Sequence, residues 1–254
     1  MEFKHIHIDE TDSTNRWLWE NGDGVMLVTT DYQTAGKGQG SHTWESERGK
    51  NLLFSIMLHP TWLKPSRQFL LLEAWALSLI DVLREFLDET EGICTQNNPA
   101  DITIKWPNDI YWRDKKISGT LIETRLSGST LKDAVIGTGI NINQQQFLSD
   151  APNPISLCHL CGSSEPIDKQ QLLSRIINKF TAYYQQLMDG DEEAIQELYH
   201  QSLYRRHGFH TYKDANGIFE AELIGVSPSG LLTLRTQEGE NRQYEQRTVQ
   251  FVIK

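Results

Sequence analysis

Cysteine is scarce in this chain: three residues among 254, namely Cys94, Cys158 and Cys161. So sparse and odd a set builds no disulfide framework and suits a reducing compartment. Cys158-His159-Leu160-Cys161 has the spacing of half a zinc site, but a tetrahedral site needs four ligands and no second pair lies near it in sequence. Buried or half-buried thiols, and no metal, are the expectation there. Long apolar runs are missing too: none approaches the roughly 20 residues of a membrane span. The opening Met-Glu-Phe-Lys-His-Ile-His-Ile-Asp has acid and histidine where a signal peptide needs an apolar core, so a cytoplasmic location is expected. Basic charge is in deficit, with 24 Lys and Arg against 34 Asp and Glu and a net charge of −10. That excludes nonspecific wrapping of nucleic acid, which needs cations in numbers, but leaves room for a local basic site. Both common nucleotide fingerprints, G-x-x-x-x-G-K-[ST] and G-x-G-x-x-G, are lacking. Only eleven residues precede Asp12, too few for a folded DNA-binding module at that end.

What is present is a globular composition, 38% hydrophobic and 23% charged, enough for one domain of ordinary size and a small second one. Strands are predicted at Val25–Thr30 and Asn51–Leu58, the latter ended by His59-Pro60. A helix from Ser66 to about Leu87 presents Phe69, Leu72, Ala76, Leu79, Leu83 and Phe86 to a sheet. Trp62 and Trp75 read as core aromatics, and residues 88–101 as a loop. Strands over Lys116–Thr124 and Asp133–Ile140 flank a turn at Ser127-Gly128-Ser129. A break at Pro152 and Pro154 follows, then a short helix at Ser156–Leu160 and amphipathic helices over Asp168–Met188 and Asp191–Tyr204. From His207 the chain changes to short alternating segments broken by Asn216-Gly217, Pro228-Ser229-Gly230 and Glu238-Gly239. These predict a small antiparallel barrel, so the expected domains are 1–206 and 207–254. Five Lys or Arg against six Asp or Glu make the second no basic platform.

Four stretches carry chemistry. Asp12-Ser13-Thr14-Asn15 precedes Arg16-Trp17-Leu18-Trp19 and is helix-capping material; its hydroxyls and backbone amides can equally hold a polar ligand at a helix N-terminus. Gln33-Thr34-Ala35-Gly36-Lys37-Gly38-Gln39-Gly40 puts glycine at alternate positions around a lysine, a loop able to cradle phosphate or carboxylate. A flexible surface hairpin is the simpler account of that loop alone. Ile104-Lys105-Trp106-Pro107-Asn108-Asp109-Ile110 ends an apolar strand on a lysine and stops it with proline, which aims a charge over the sheet end. Taken alone it reads as strand, turn and strand with Lys105 exposed. Gly137-Thr138-Gly139-Ile140-Asn141-Ile142-Asn143 has glycines that let a flat ring or backbone approach, and two asparagines that would share a face of an extended segment.

In this order, and ahead of a small β tail, the four motifs resemble the biotin–protein ligases over nearly the whole chain from Asp12 onward. Lys105-Trp106-Pro107-Asn108-Asp109 and the loop ending in Trp44 carry most of the likeness. The resemblance implies an α+β fold: a central mixed sheet flanked by helices, like a class II synthetase, plus an SH3-like C-terminal domain. It implies that ATP activates biotin to biotinyl-5′-AMP, with Mg²⁺ accompanying the nucleotide. Biotin then passes to a lysine of a biotin carboxyl carrier protein domain. It implies Ser13, Thr14, Asn15 and Gln33 at biotin's ureido ring, and Gly119 and Leu121 along its tail. Gly36, Lys37, Gly38 and Gln39 would close over the intermediate. Trp44 would pack on adenine, Lys105 would sit between carboxylate and phosphate, and Asn108, Asn141 and Asn143 would lie near the nucleotide. Lys105 and Lys37 are the expected catalytic cations, acting by charge and not by proton transfer, because a lysine near anions stays protonated.

Two departures bear on this. The family's loop commonly reads Gly-Arg-Gly-Arg where this one has Gly36-Lys37-Gly38-Gln39, and a later Gly-Arg appears here as Ser41-His42. One arginine's bidentate geometry and another's charge are lost, which predicts weaker retention of the adenylate. The DNA-binding module of the repressor-type members is also missing, so neither repression nor DNA binding is expected, and no membrane partner. A homodimer through sheet edges is left open. The alternatives are a lipoate–protein ligase or octanoyl transferase, which lack the Lys-Trp-Pro-Asn-Asp block, and a non-catalytic biotin sensor, which would need no cation at Lys105.

Overall fold

The computed structural model describes residues 1–38, 40, 43–90, 98–149, 153–162 and 165–253. The N-terminal part is built on a seven-stranded mixed sheet in the order β1-β2-β3-β7-β6-β5-β4. These strands are β1 (Lys4–Thr11), β2 (Met26–Gln33), β3 (Leu52–Leu58), β4 (Ile102–Lys105), β5 (Asp109–Trp112), β6 (Lys115–Ser127) and β7 (Thr130–Ile140). Only β1 and β2 run parallel; every other neighbouring pair is antiparallel.

Every residue of β3 is buried, because helices cover both faces of the sheet there. On one face α1 (Thr14–Asn21) sets Leu18 against Met26, Val28, Met57 and Val135. On the other, α2 (Phe69–Glu89) is buried along nearly its whole length, because it lies between the sheet and α4 (Lys169–Met188) and α5 (Glu192–Gln201). Trp75 is the centre of that layer: its ring packs on Phe54 and Phe180, and its Nε1 donates to Thr138 Oγ1 at 2.8 Å. Trp62, expected in the core, is instead 37% exposed and meets Tyr184 edge-on.

The short helix α3 (Leu157–Cys161) buries both Cys158 and Cys161 as free thiols; Cys94 lies outside the described residues. One strand was not expected, β1. Its His-Ile-His-Ile alternation half-buries one face only, as befits a sheet edge, and gives no strong apolar signal. Among the described residues no helix is long and apolar enough to cross a membrane.

The second sheet is antiparallel, in the order β11-β10-β9-β8-β12. Its strands are β8 (Phe209–Asp214), β9 (Gly217–Val226), β10 (Leu232–Thr236), β11 (Asn241–Tyr244) and β12 (Gln250–Phe251), as expected of an SH3-like tail. It is not a loose appendage. Tyr212, Leu223, Val226 and Leu232 belong to the same apolar cluster as Tyr199 and Leu203. Trp106 Nε1 donates to Gly230 O at 3.1 Å, and Arg205 donates to the carbonyls of Thr211 and Val252. The tail is thereby held against the end of β4.

Candidate active site

Between the two sheets lies a cavity of about 900 Å³. Its floor is the paired middle of β6 and β7, where Gly119 faces Gly139, Thr120 faces Thr138 and Leu121 faces Gly137. Glycine is needed here for close approach. A Cβ on Gly139 would come within 2.3 Å of the Trp44 indole, and one on Gly119 within 3.0 Å. The flat ring expected over these glycines is thus Trp44 itself, hydrogen-bonded through its backbone N to Gly36 O at 2.9 Å.

At one end of the floor the N-terminus of α1 supplies a fixed polar network. Ser13 is the N-cap residue, yet its side chain makes no capping bond. Gln33 Oε1 accepts from Thr14 N at 2.8 Å and from Thr14 Oγ1 at 3.1 Å. Ser55 Oγ lies within hydrogen-bond distance of Thr14 Oγ1 and Asn15 Oδ1, 2.6 and 2.7 Å away, with one proton to give between them. Asn15 Nδ2 donates to Glu123 Oε2 at 2.8 Å. Sequence reasoning missed Ser55 and Glu123, which orient this end from behind; nothing local in either strand advertises that role.

Lys105 closes β4 and points into the cavity beside Asn108, whose Nδ2 donates to Thr120 O at 2.7 Å. The lysine is not exposed. Its Nζ lies 5.0 Å from the Tyr111 ring centroid and 5.3 Å from that of Phe251, and no hydrogen-bond acceptor or carboxylate among the described residues meets it. Burial lowers its pKa, with Asp109 opposing and Lys116 and Arg205 adding to the fall. Asp109 is already engaged, its Oδ2 2.7 Å from Lys116 Nζ.

Lys37 and Gly38 line the same cavity from the glycine-rich loop, where Lys37 bridges to Thr43. Gly36 is buried behind the lining: a Cβ on it would sit 3.0 Å from Trp44 O and 3.1 Å from Gln33 Nε2. Gln39 lies outside the described residues, as do Ser41 and His42. Asn141 lines the wall with its Oδ1 buried and unpartnered, and Trp44 Nε1 is a buried donor without an acceptor. Such orphans each cost roughly 1–3 kcal/mol unless a ligand meets them.

Asn143 does not join this wall. The chain turns away after Ile140, and the Asn143 amide is used up on Ile167, donating to its O at 3.0 Å and accepting from its N at 2.9 Å. The shared face expected for the two asparagines is therefore corrected: it requires extended backbone that ends before Asn143. In the other direction, the tail contributes lining that motif reasoning did not find, namely Arg247, Val249, Gln250 and Phe251.

The family model described as the biotin/lipoate A/B protein ligase family matches residues 7–141. The bifunctional ligase/repressor BirA of Bacillus subtilis is 30% identical over 249 residues, covering 94% of this chain and 71% of that protein. The biotin–protein ligase of Homo sapiens is 26% identical over 228 residues, 85% of this chain and 29% of the human one. In fold, the chain is similar to the biotin protein ligase from Aquifex aeolicus in complex with biotin and ATP. The TM-score is 0.77 at 23% identity, covering 98% of this chain and 99% of the other.

Proposed function

This chain belongs to the biotin/lipoate A/B protein ligase family, and on that premise we propose that it is a biotin–protein ligase. It activates biotin with ATP to biotinyl-5′-AMP and transfers biotin to a lysine of a carrier protein. One observation carries the reading: a half-buried lysine, Lys105, that meets no carboxylate among the described residues, in one cavity with Lys37 and with a preset array of hydroxyls and amides.

The chemistry requires two anions to meet. A biotin carboxylate oxygen attacks the α-phosphorus and the bond to pyrophosphate breaks. Lys105 stands where that repulsion must be neutralised, and Lys37 brings a second charge on the loop. Burial by itself disfavours the Lys105 charge; bound anions reverse that preference and keep the ammonium protonated. In the second half-reaction the acceptor amine attacks the activated carbonyl, loses a proton and expels AMP.

Ser13, Thr14, Asn15 and Gln33 suit a ureido ring, which donates and accepts, better than the apolar dithiolane of lipoate. Gly119 and Leu121 present backbone along the tail, while Gly36, Gly38 and Gln39 belong to the loop over the intermediate. On the nucleotide side, Trp44 offers an aromatic face and an unpartnered Nε1, Asn141 an unpartnered Oδ1, and Asn108 its amide.

Of the carboxylates that line the cavity among the described residues, Asp109 pairs with Lys116 and Glu45 accepts from the amides of Leu148 and Ser149. Mg²⁺, accompanying the nucleotide, would shield the triphosphate charge in this cavity. We assign residues 1–206 to the catalytic domain and 207–254 to the SH3-like one, although their apolar packing is continuous. The acceptor is a biotin carboxyl carrier domain, and the outer edge of β1 is where a second copy would add a strand. An ATP-fed reaction fits the cytoplasm.

The test is transfer of labelled biotin to a carrier domain, run with pyrophosphate release. Biotin-dependent release followed by labelling is expected. Labelling by lipoate in place of biotin, or tight biotin binding without pyrophosphate release, overturns the reading in favour of a lipoate ligase or a sensor.

A further inference from the structure

The turn that follows Lys105 is three residues long, Trp106-Pro107-Asn108, between β4 and β5. Each of the three is tied to a different element. Trp106 Nε1 donates to Gly230 O at 3.1 Å, Asn108 Nδ2 donates to Thr120 O at 2.7 Å, and Pro107 O accepts from Tyr199 Oη at 2.6 Å. Proline brings no N–H to a turn, so its carbonyl is the group by which the centre of this one is held. Tyr199 lies in α5, fully buried, with its ring edge-on to Phe69 at 5.8 Å between centroids. It does not line the cavity. Just beyond it the chain runs beside β4: Ile104 N donates to Ser202 O at 2.8 Å, and Tyr204 N to Ile104 O at 2.9 Å. The end of α5 is thereby in fixed register with the residue before Lys105. Burial, with the nearby Glu73 adding to it, holds the Tyr199 phenol well above its usual pKa, so the hydroxyl keeps its proton and donates.

We propose that Tyr199 is a positioning residue for Lys105: by holding the Pro107 carbonyl from behind, its hydroxyl fixes where the lysine stands in the cavity. This rests on the adenylation reading above. The Lys105 side chain has no hydrogen-bond acceptor of its own among the described residues, only the faces of Tyr111 and Phe251, so its aim depends on the backbone that carries it. A charge that must meet two anions in line loses effect when its backbone shifts, because the stabilisation counts only at the reacting geometry. Trp106 and Asn108 pin the two ends of the turn, and Tyr199 is the tie at its middle. Helix α5 thus acts on the reaction without touching a substrate.

The experiment uses the full chain, with pyrophosphate release titrated against biotin and against ATP. Tyr199→Phe keeps the ring on Phe69 and removes only the hydroxyl. It is expected to lower kcat about tenfold while KM for each substrate stays within about twofold. Tyr183→Phe is the control: it deletes a hydroxyl that donates over the same 2.6 Å, to Asp81, at a residue that does not line the cavity. Both variants are expected to melt about 2–4 °C below wild type, with kcat unchanged in the control. In a Lys105→Ala background, Tyr199→Phe is expected to cost less than about twofold more, because a residue that acts through the lysine has nothing left to position. A wild-type kcat in Tyr199→Phe, an equal loss in the control, or the full tenfold loss without Lys105 overturns the positioning role and leaves the adenylation reading standing. If the wild type forms no biotinyl adenylate, both fall together.

Discussion

Gly137 and Asn15 are in contact so close that a methyl group has no place between them: a Cβ on Gly137 would lie 2.0 Å from Asn15 Oδ1. The same Oδ1 accepts from Ser55 Oγ at 2.7 Å, and the amide nitrogen is held by Glu123. Main chain of β7 therefore fixes the Asn15 amide from one side while two strands fix it from behind.

Gly137→Ala should push the Asn15 amide out of register. Overpacking of this kind costs about 1–3 kcal/mol, which in binding is roughly a tenfold to hundredfold weaker biotin complex. ATP affinity should change little, since Trp44, the ring proposed for adenine, packs on Gly139 and not on Gly137. Calorimetry with each ligand separately checks this; an equal loss for both would assign the effect to general misfolding of the floor.

Lys105→Ala should abolish most adenylate synthesis, by about 10²–10³-fold in rate, and leave the fold intact. Stability should not suffer, because the variant removes a half-buried ammonium whose neighbours among the described residues are aromatic faces. Pyrophosphate release and a melting curve measured together decide it. Normal release in the variant, or a large fall in melting temperature, contradicts the role given to this lysine.

Much of this site was legible in the sequence because each motif sits at an element end: Ser13 at the start of α1, Gln33 at the end of β2, Lys105 at the end of β4. Turn and cap chemistry mark such ends locally. What was not legible depends on distant chain. Nothing near Arg247 or Phe251 indicates that this segment folds back onto Lys105, since that contact is made by the packing of Trp106 on Gly230 and of Tyr212 on the shared core. Asn143 failed for the opposite reason: its motif looked extended, and a tie to Ile167 from the approach to α4 takes its amide. Edge strand β1 escaped notice because pairing with β2, not burial, makes it a strand.

Lys37→Ala should be milder than loss of Lys105. Lys37 lines the cavity but is exposed on the loop, so its charge is screened by solvent before ligands bind. The expected result is a few-fold lower rate of adenylate formation, on the order of 1 kcal/mol, with faster escape of biotinyl-5′-AMP from the enzyme. Rapid filtration of labelled intermediate measures the escape rate directly, and retention equal to wild type rules the loop charge out as a clamp.

Glu73 gives a prediction in pH. It is wholly buried in α2 and neither carboxyl oxygen has a hydrogen-bond partner. Burial pushes its pKa up from 4.5 to about 8; Arg67 opposes the rise and Glu192 adds to it. Those two residues pair with each other, and Tyr199, whose own ionisation burial makes harder, is the other titratable group alongside. Between 4.5 and about 8 the folded protein holds a proton that the unfolded chain has released. Stability is therefore fullest below the lower value and is lost as pH rises through the window. Glu73→Gln keeps the shape and cannot ionise. Its advantage over wild type should be small at the acid end and grow toward pH 8, reaching on the order of 2–4 kcal/mol. Melting curves of both proteins across that range test it. Parallel curves would mean that the carboxyl has a partner in solution that keeps it charged, and that its burial in α2 is compensated.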